Sequence, residues 1–223
     1  MTVCLMMHGL GPVPPHIPDV EKPYWLAQDS FAAILELARA YPVRLTFDDG
    51  NATDFTLALP MLKRAGLTAS FFIPTDRIGT PHYLGEDEIR EMHAAGMEIG
   101  SHGCAHVDWI GVSDAEIAHD VMHSIERLSR LVGEPVRSVA VPYGRCDRRV
   151  LRVLRSLGVG RVYTSFAGPE AENAWLVRRF CIKAEMSLDI VRDIVSRTPD
   201  AAEAALNFLR IWRHAGNAAL WEA

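Results

Sequence analysis

Several features that would point to a partner or a compartment are missing from the chain. There is no run of lysine or arginine; 223 residues carry 23 basic and 28 acidic side chains, a formal net charge of −5, so nucleic acid is not expected as a partner. No apolar stretch approaches the roughly 20 residues of a membrane-spanning helix. The opening MTVCLMMHGLGPVPP lacks a cationic leader and its apolar run breaks at His8. It reads as a buried strand, and the expected compartment is the cytoplasm. Cysteine is scarce: Cys4, Cys104, Cys146 and Cys181 lie far apart and make no C-x-x-C pair, which favours free thiols over a disulfide framework. No Ser/Gly-rich linker and no clear internal repeat divides the chain. With 49% hydrophobic residues it can bury a full core, and its length suits one large α/β domain or two small ones.

What the chain does have is alternation. Seven short, apolar, β-branched runs read as strands, at 3–8, 43–48, 68–74, 97–102, 137–142, 159–165 and 176–182. Segments of helical period lie between them. Asp29 and Ser30 are expected to open the helix FAAILELARA, with Phe31, Ile34, Leu35 and Ala38 on one face. Gly66 and Gly96 end the next two helices. Ser113 with Glu116 predicts a capping box for a long helix that stops at Gly133. Asp147 caps RRVLRVLRSLG, and SLDIVRDIV follows the last strand. Strands alternating with helices imply a parallel sheet buried on both faces, either closed into a barrel or left open and doubly wound. A complete eight-fold barrel needs about 250 residues, so a distorted (β/α) barrel of about seven parallel strands fits this length better. Residues 1–198 are assigned to that domain. Residues 199–223, with Trp212 and Trp221, read as a C-terminal helical extension packed on it; a subunit contact, and so a homo-oligomer, is the alternative.

Reactive groups in parallel α/β architectures gather at the carboxyl ends of strands. Four polar clusters fall at such ends: His8, Asp48-Asp49-Gly50, His102 and His106 within GSHGCAH, and Pro142-Tyr143-Gly144. Each taken alone is ordinary turn chemistry or a weak H-x₃-H spacing; their placement at one rim is the signal. One Asp and two His supply three ligands that zinc accepts, leaving a fourth position open for water, as catalytic sites do. The other Asp would then stand beside that water as a general base, and a cation relieves the repulsion between adjacent carboxylates. A second pair, His119 and His123 in HDVMH, imitates the zinc-protease motif. The apolar stripe Ile117, Val121, Ile125, Leu128 and Val132 turns both imidazoles to solvent, so the pair is rejected as a site. Cys104 reads as a loop thiol rather than a ligand, and His16, His82, His93 and His214 have no evident partners.

The segments LTFDDGN, ALPMLKRAGLTASFFIPTDRIG, GMEIGSHGCAH and VAVPYGRCDRRVL, in this order and spacing, resemble the metal-dependent polysaccharide deacetylases, carbohydrate esterases that remove acetyl groups from N-acetylated glycans. The similarity runs from about Val3 to about Ile182. It implies a distorted barrel with fewer than eight strands and a divalent metal, zinc first, with cobalt or nickel as alternatives. Asp48 would be the general base, and Asp49, His102 and His106 the metal ligands. Pro142-Tyr143-Gly144 would line the substrate pocket, with the Tyr143 backbone N–H on the oxyanion, and His8 would stand near the leaving group. The implied substrate is an acetylated sugar or glycan precursor. A non-sugar amide or cyclic ureide on the same scaffold is a rival reading, and an inactive glycan-binding module is another. Three positions depart from the pattern: Gly103 stands where Ser or Thr is usual, Ala140 where many relatives have Arg, and Met7 where Tyr is common. The loops 11–25 and 76–87, with Trp25 and Tyr83, are expected to shape the pocket.

Overall fold

A computed structural model describes residues 2–168 and 174–196; the extension assigned to 199–223, and His214 with it, lies outside the described residues. Strands β1 (Val3–Met7), β4 (Val43–Asp48), β5 (Ala69–Ile73), β6 (Glu98–Ser101), β7 (Ser138–Ala140), β8 (Arg161–Tyr163), β9 (Leu176–Val177) and β10 (Phe180–Cys181) form the main sheet, and β2 (Gly9–Leu10) pairs with β3 (Trp25–Leu26). Six α-helices are interleaved: α1 (Gln28–Ala40), α2 (Leu59–Ala65), α3 (Glu86–Ala94), α4 (Asp114–Val132), α5 (Arg148–Ser156) and α6 (Leu188–Ser196).

The local signals explain most of these elements. All five residues of β1 are buried, as an uninterrupted apolar strand covered on both faces must be. Helix α1 buries the predicted Phe31, Ile34, Leu35 and Ala38 together with Leu37. It starts one residue before the expected cap, with Ala27 at the N-cap. Asp29 and Ser30 therefore sit inside the first turn, where the Asp29 carboxylate faces the positive end of the helix dipole. Ser113 and Glu116 form the reciprocal capping box of α4, and the Asp147 carboxylate accepts from Val150 N at 2.9 Å to cap α5. Gly66 and Gly133 close α2 and α4 in the left-handed region, at φ 68° and 79°.

The main sheet has the order β10-β1-β4-β5-β6-β7-β8-β9, and every pairing is parallel. The seventh predicted strand is cut in two. Leu176–Val177 pairs with β8 and Phe180–Cys181 pairs with β1, so the two edges of the sheet are separated by only Arg178 and Arg179. The sheet therefore curls until its edges meet, a distorted barrel in which seven predicted runs become eight strands. The helices cover its outside in two apolar clusters, one around Leu5, Phe31, Phe47 and Phe71, the other around Trp109, Ile117, Val150 and Val162. Inside the barrel, Cys4, Phe72, Ala140, Tyr163 and Val177 make a third, small cluster. None of the four cysteines is in a disulfide, and no described helix is long and apolar enough to cross a membrane.

Candidate active site

The carboxyl ends of β1, β4, β6 and β7 open on one cavity of about 330 Å³, lined by His8, Asp48, Asp49, His102, His106 and Tyr143 among others. Asp48 ends β4, and Asp49 and Gly50 follow it at φ 81° and 66°, conformations that Gly accepts freely and Asp better than most residues. His102 leaves β6 almost fully buried, and its Nδ1 lies 2.9 Å from the carbonyl of Ala140. A carbonyl can only accept, so Nδ1 carries the proton and Nε2 is left bare, the arrangement of a ligating imidazole. His106 Nε2 lies 3.2 Å from Asp49 Oδ1. One ligand atom from each of Asp49, His102 and His106 lies within 4.8 Å of the other two. A carboxylate and two imidazoles so close suit zinc or a similar divalent ion.

The protonation states fit that use. Burial, assisted by the neighbouring His102, brings His106 down to about 4, against the pull of Asp49. His102 is also lowered, chiefly by burial. Both imidazoles are thus neutral near pH 7, as coordination requires. Burial pushes Asp49 up, but His8, His102, His106 and Arg77 outweigh it and leave its pKa lowered; Arg77 Nη1 donates to Asp49 Oδ1 at 2.9 Å.

Asp48 has a partner that the sequence did not disclose. Arg179, from the seam between β9 and β10, is fully buried. Its Nη1 and Nη2 donate to Asp48 Oδ1 and Oδ2 at 2.6 and 2.8 Å, a two-pronged guanidinium–carboxylate pair. Its Nε donates to Thr164 O at 3.0 Å, and Nη1 reaches Thr46 Oγ1 at 3.3 Å, so the cation is held on several sides. Burial raises the Asp48 carboxyl, yet Arg179, His102 and His8 together bring it down to about 2. Ala140 removes one source of a guanidinium and Arg179 supplies another. The signal was present as an Arg-Arg pair interrupting the apolar run LVRRFCI: two cations inside a buried strand need a carboxylate or a break in the ladder, and here both occur.

The remaining predicted residues also reach the cavity. His8 lines it, its ring 5.1 Å from that of Tyr24, and its Nδ1 is enclosed without a hydrogen-bond partner among the described residues. Tyr143 takes φ 58°, packs edge-on against His106 at 4.5 Å and is 61% exposed at the mouth. Gly144 lines the wall and has no room for a side chain, because a Cβ would sit 1.9 Å from Ser165 Oγ. Pro142 is buried and starts the turn rather than facing the cavity. Both expected loops contribute, through Ile17, Val20, Glu21, Tyr24 and Trp25 on one side and Arg77 and Tyr83 on the other. They touch through His16 and His82, whose rings stack at 3.9 Å. His93 lies 3.6 Å from Glu134, so three of the histidines without evident partners have them. His119 and His123 are exposed, as the stripe on α4 required.

Asp54 is a buried carboxyl that no motif singled out. It opens a π-helical turn, Asp54–Ala58, and neither oxygen has a partner of ordinary hydrogen-bond geometry among the described residues. Burial, and then the charges of Asp49 and Asp48, raise its pKa well above the usual range, with only the Asn51 backbone acting against them. The folded state therefore holds a proton here that the unfolded state releases above about pH 3.9, and stability falls as pH rises through that window. In the metal-free protein, Asp54→Asn should raise the melting temperature by about 2–4 °C at pH 7, the scale of 1 kcal/mol in a domain of this size. Melts at pH 7 and pH 4 check it, the gain shrinking towards zero at the lower pH.

The polysaccharide deacetylase family profile matches residues 38–162, more than half of the chain. A chitin deacetylase of Colletotrichum lindemuthianum is 30% identical over 63% of this chain and 57% of that protein. A peptidoglycan-N-acetylglucosamine deacetylase of Bacillus cereus is 30% identical over 46% of this chain and 36% of its own length. The chain spans about half the length of the curated relatives it matches. In fold it is similar to a Streptococcus pyogenes deacetylase solved in complex with acetate, with a TM-score of 0.77 at 21% identity over 88% of this chain and 98% of that one. By its sequence the chain belongs to the polysaccharide deacetylase family.

Proposed function

We propose that the protein is a metal-dependent hydrolase that removes the acetyl group from an N-acetylated sugar or glycan precursor. The observation that carries this is the pairing of an ionised, Arg179-bound Asp48 with the Asp49, His102 and His106 trio in one cavity. The names of the curated relatives support acetamido sugars as the substrate class. The chemistry supplied by a divalent metal in the trio, zinc first and cobalt or nickel as alternatives, is Lewis acidity towards the acetyl carbonyl and the attacking water. Asp48 takes the proton of that water as the carbon–oxygen bond forms, and Arg179 keeps the carboxylate ionised and aimed. The Tyr143 backbone N–H stabilises the developing oxyanion, a contribution of about 3 kcal/mol per donor in comparable sites. With its Nδ1 enclosed, His8 uses Nε2 to protonate the departing amine, and the products are acetate and a free amino sugar. Tyr24 and Tyr83, which line the cavity, offer faces against which a sugar ring packs.

Bound metal per chain tests the centre. Wild type should hold about one ion, and His102→Ala should lose it while keeping its far-ultraviolet circular dichroism. Acetate release from N-acetylglucosamine oligomers by the loaded wild type completes the test. Wild type that takes up neither zinc, cobalt nor nickel would overturn the proposal. Ring opening of a cyclic ureide without acetate release would move the substrate to the rival class.

A further inference from the structure

Two histidines four residues apart in a loop reach one point only if the backbone between them is held in a single shape. Gly103 and His106 take φ 75° and 54°, and a loop bent in this way turns successive backbone N–H groups to one side as a concave anion cradle. The cradle is filled from α4. Asp120 Oδ1 accepts from Cys104 N at 2.9 Å and Ala105 N at 3.2 Å, and Asp120 Oδ2 accepts from Trp109 Nε1 at 2.9 Å. Asp120 as a residue is 7% exposed. One helical turn on, Ser124 Oγ accepts from Ser101 Oγ at 2.8 Å, and Ser101 Oγ in turn accepts from Gly103 N at 3.1 Å. Three consecutive loop N–H groups are thereby tied, directly or through one hydroxyl, to two side chains of α4. The loop carbonyls are tied as well: Gly103 O accepts from Thr75 N at 3.1 Å and Cys104 O from Asp76 N at 3.0 Å.

Gly103 and Asp120 depend on one another. A Cβ at position 103 would lie 2.3 Å from Asp120 Oδ2, so the loop can admit the carboxylate only while that position has no side chain. The loop N–H donors are held by Asp120 and, through Ser101, by Ser124, with no hydroxyl at position 103. The segment that imitates a zinc-protease motif, HDVMH, thus touches the loop between His102 and His106 through Asp120, its second residue, and not through its exposed histidines.

We propose that Asp120 is a positioning residue: its carboxylate holds the Gly103–Ala105 backbone closed so that His102 and His106 meet Asp49 on one ion. This rests on the reading of Asp49, His102 and His106 as a metal centre. Asparagine keeps the volume of Asp120, but its amide nitrogen must face an N–H donor in either orientation, so one side of the cradle is lost.

The test is zinc affinity, measured by competition with a chromophoric chelator on the full chain. Asp120→Asn should bind zinc about 10–100-fold more weakly than wild type, the range seen when a group supporting a metal ligand is removed. Gly103→Ala, which crowds the carboxylate and also strains the loop backbone at φ 75°, should move affinity the same way. Ser129→Ala removes another side-chain bond on α4, its Oγ accepting from Val136 N at 2.9 Å and lying outside the cavity lining; it should lower the melting temperature and leave zinc affinity unchanged. Folded Asp120→Asn with wild-type affinity would overturn the proposal, as would a Ser129→Ala loss equal to that of Asp120→Asn. If Asp120→Asn does not fold, Asp120→Ser, which leaves a single short oxygen in the cradle, decides: weakened binding supports the role and wild-type binding overturns it. Wild type that binds none of zinc, cobalt and nickel removes the metal reading and this inference together, whereas tight wild-type binding with indifferent variants removes this inference alone.

Discussion

Asp48→Asn should lower turnover on an N-acetylated substrate by about 10²–10⁴, the usual contribution of a positioned general base, while the protein still binds its metal. The change removes none of Asp49, His102 and His106, although it takes a charge from beside His102, whose Nε2 lies 3.8 Å from Asp48 Oδ2. The amide has nearly the volume of the carboxylate but cannot accept the proton of the attacking water. The pairing with Arg179 adds a second effect. The guanidinium now donates to both Asp48 oxygens in a fully buried setting. An asparagine offers one acceptor and turns a donor towards the other prong, so the variant should also melt below wild type. Turnover must therefore be compared per folded, metal-loaded chain. A loss that disappears on this basis would remove Asp48 from the role of base.

The parts of this molecule legible in its sequence are those set by local or periodic signals. The apolar runs located the strands of the main sheet to within a residue or two but not the short pair Gly9–Leu10 and Trp25–Leu26, and the capping residues Ser113, Asp147, Gly66 and Gly133 fell where the helices turn. The four polar clusters shared a rim because parallel strands place their carboxyl ends together, and no long-range knowledge was required for that. Arg179 was hidden for the opposite reason. Its meaning depends on the sheet closing on itself, so that a residue 131 positions from Asp48 stands beside it. Read locally, LVRRFCI is one strand; in the fold its halves pair with opposite edges of the sheet. Asp120 is flanked by two exposed histidines whose spacing imitates a motif, while the helix turns the Asp inwards. Departures from a pattern, Ala140 and Gly103, were visible at once, but what replaced the missing groups lay on other elements.

Arg179→Met should be the most destabilising of these substitutions. It leaves the Asp48 carboxylate buried and unpaired, a change that costs about 3–5 kcal/mol when one partner of a buried ion pair is removed, at about 2–4 °C of melting temperature for each kcal/mol. The pH dependence should change sign. In wild type the folded-state pKa of Asp48 is lowered to about 2, so this group stabilises the fold above the unfolded value of about 3.9 and the contribution is lost as pH falls towards 2. Without the guanidinium, burial dominates and the folded pKa rises above the unfolded one. Stability then falls as pH climbs past about 4. Thermal melts of the metal-free variant between pH 3 and pH 8 check this, and a profile parallel to wild type would show that Arg179 does not hold Asp48 ionised. Arg179→Lys should recover part of the stability through its charge but not the two-pronged geometry. The double variant Asp48→Asn/Arg179→Met separates structure from chemistry. With both charges gone no unpaired ion is buried, so it should melt above Arg179→Met and yet remain as inactive as Asp48→Asn, because the fold tolerates the absence of the pair and the reaction does not.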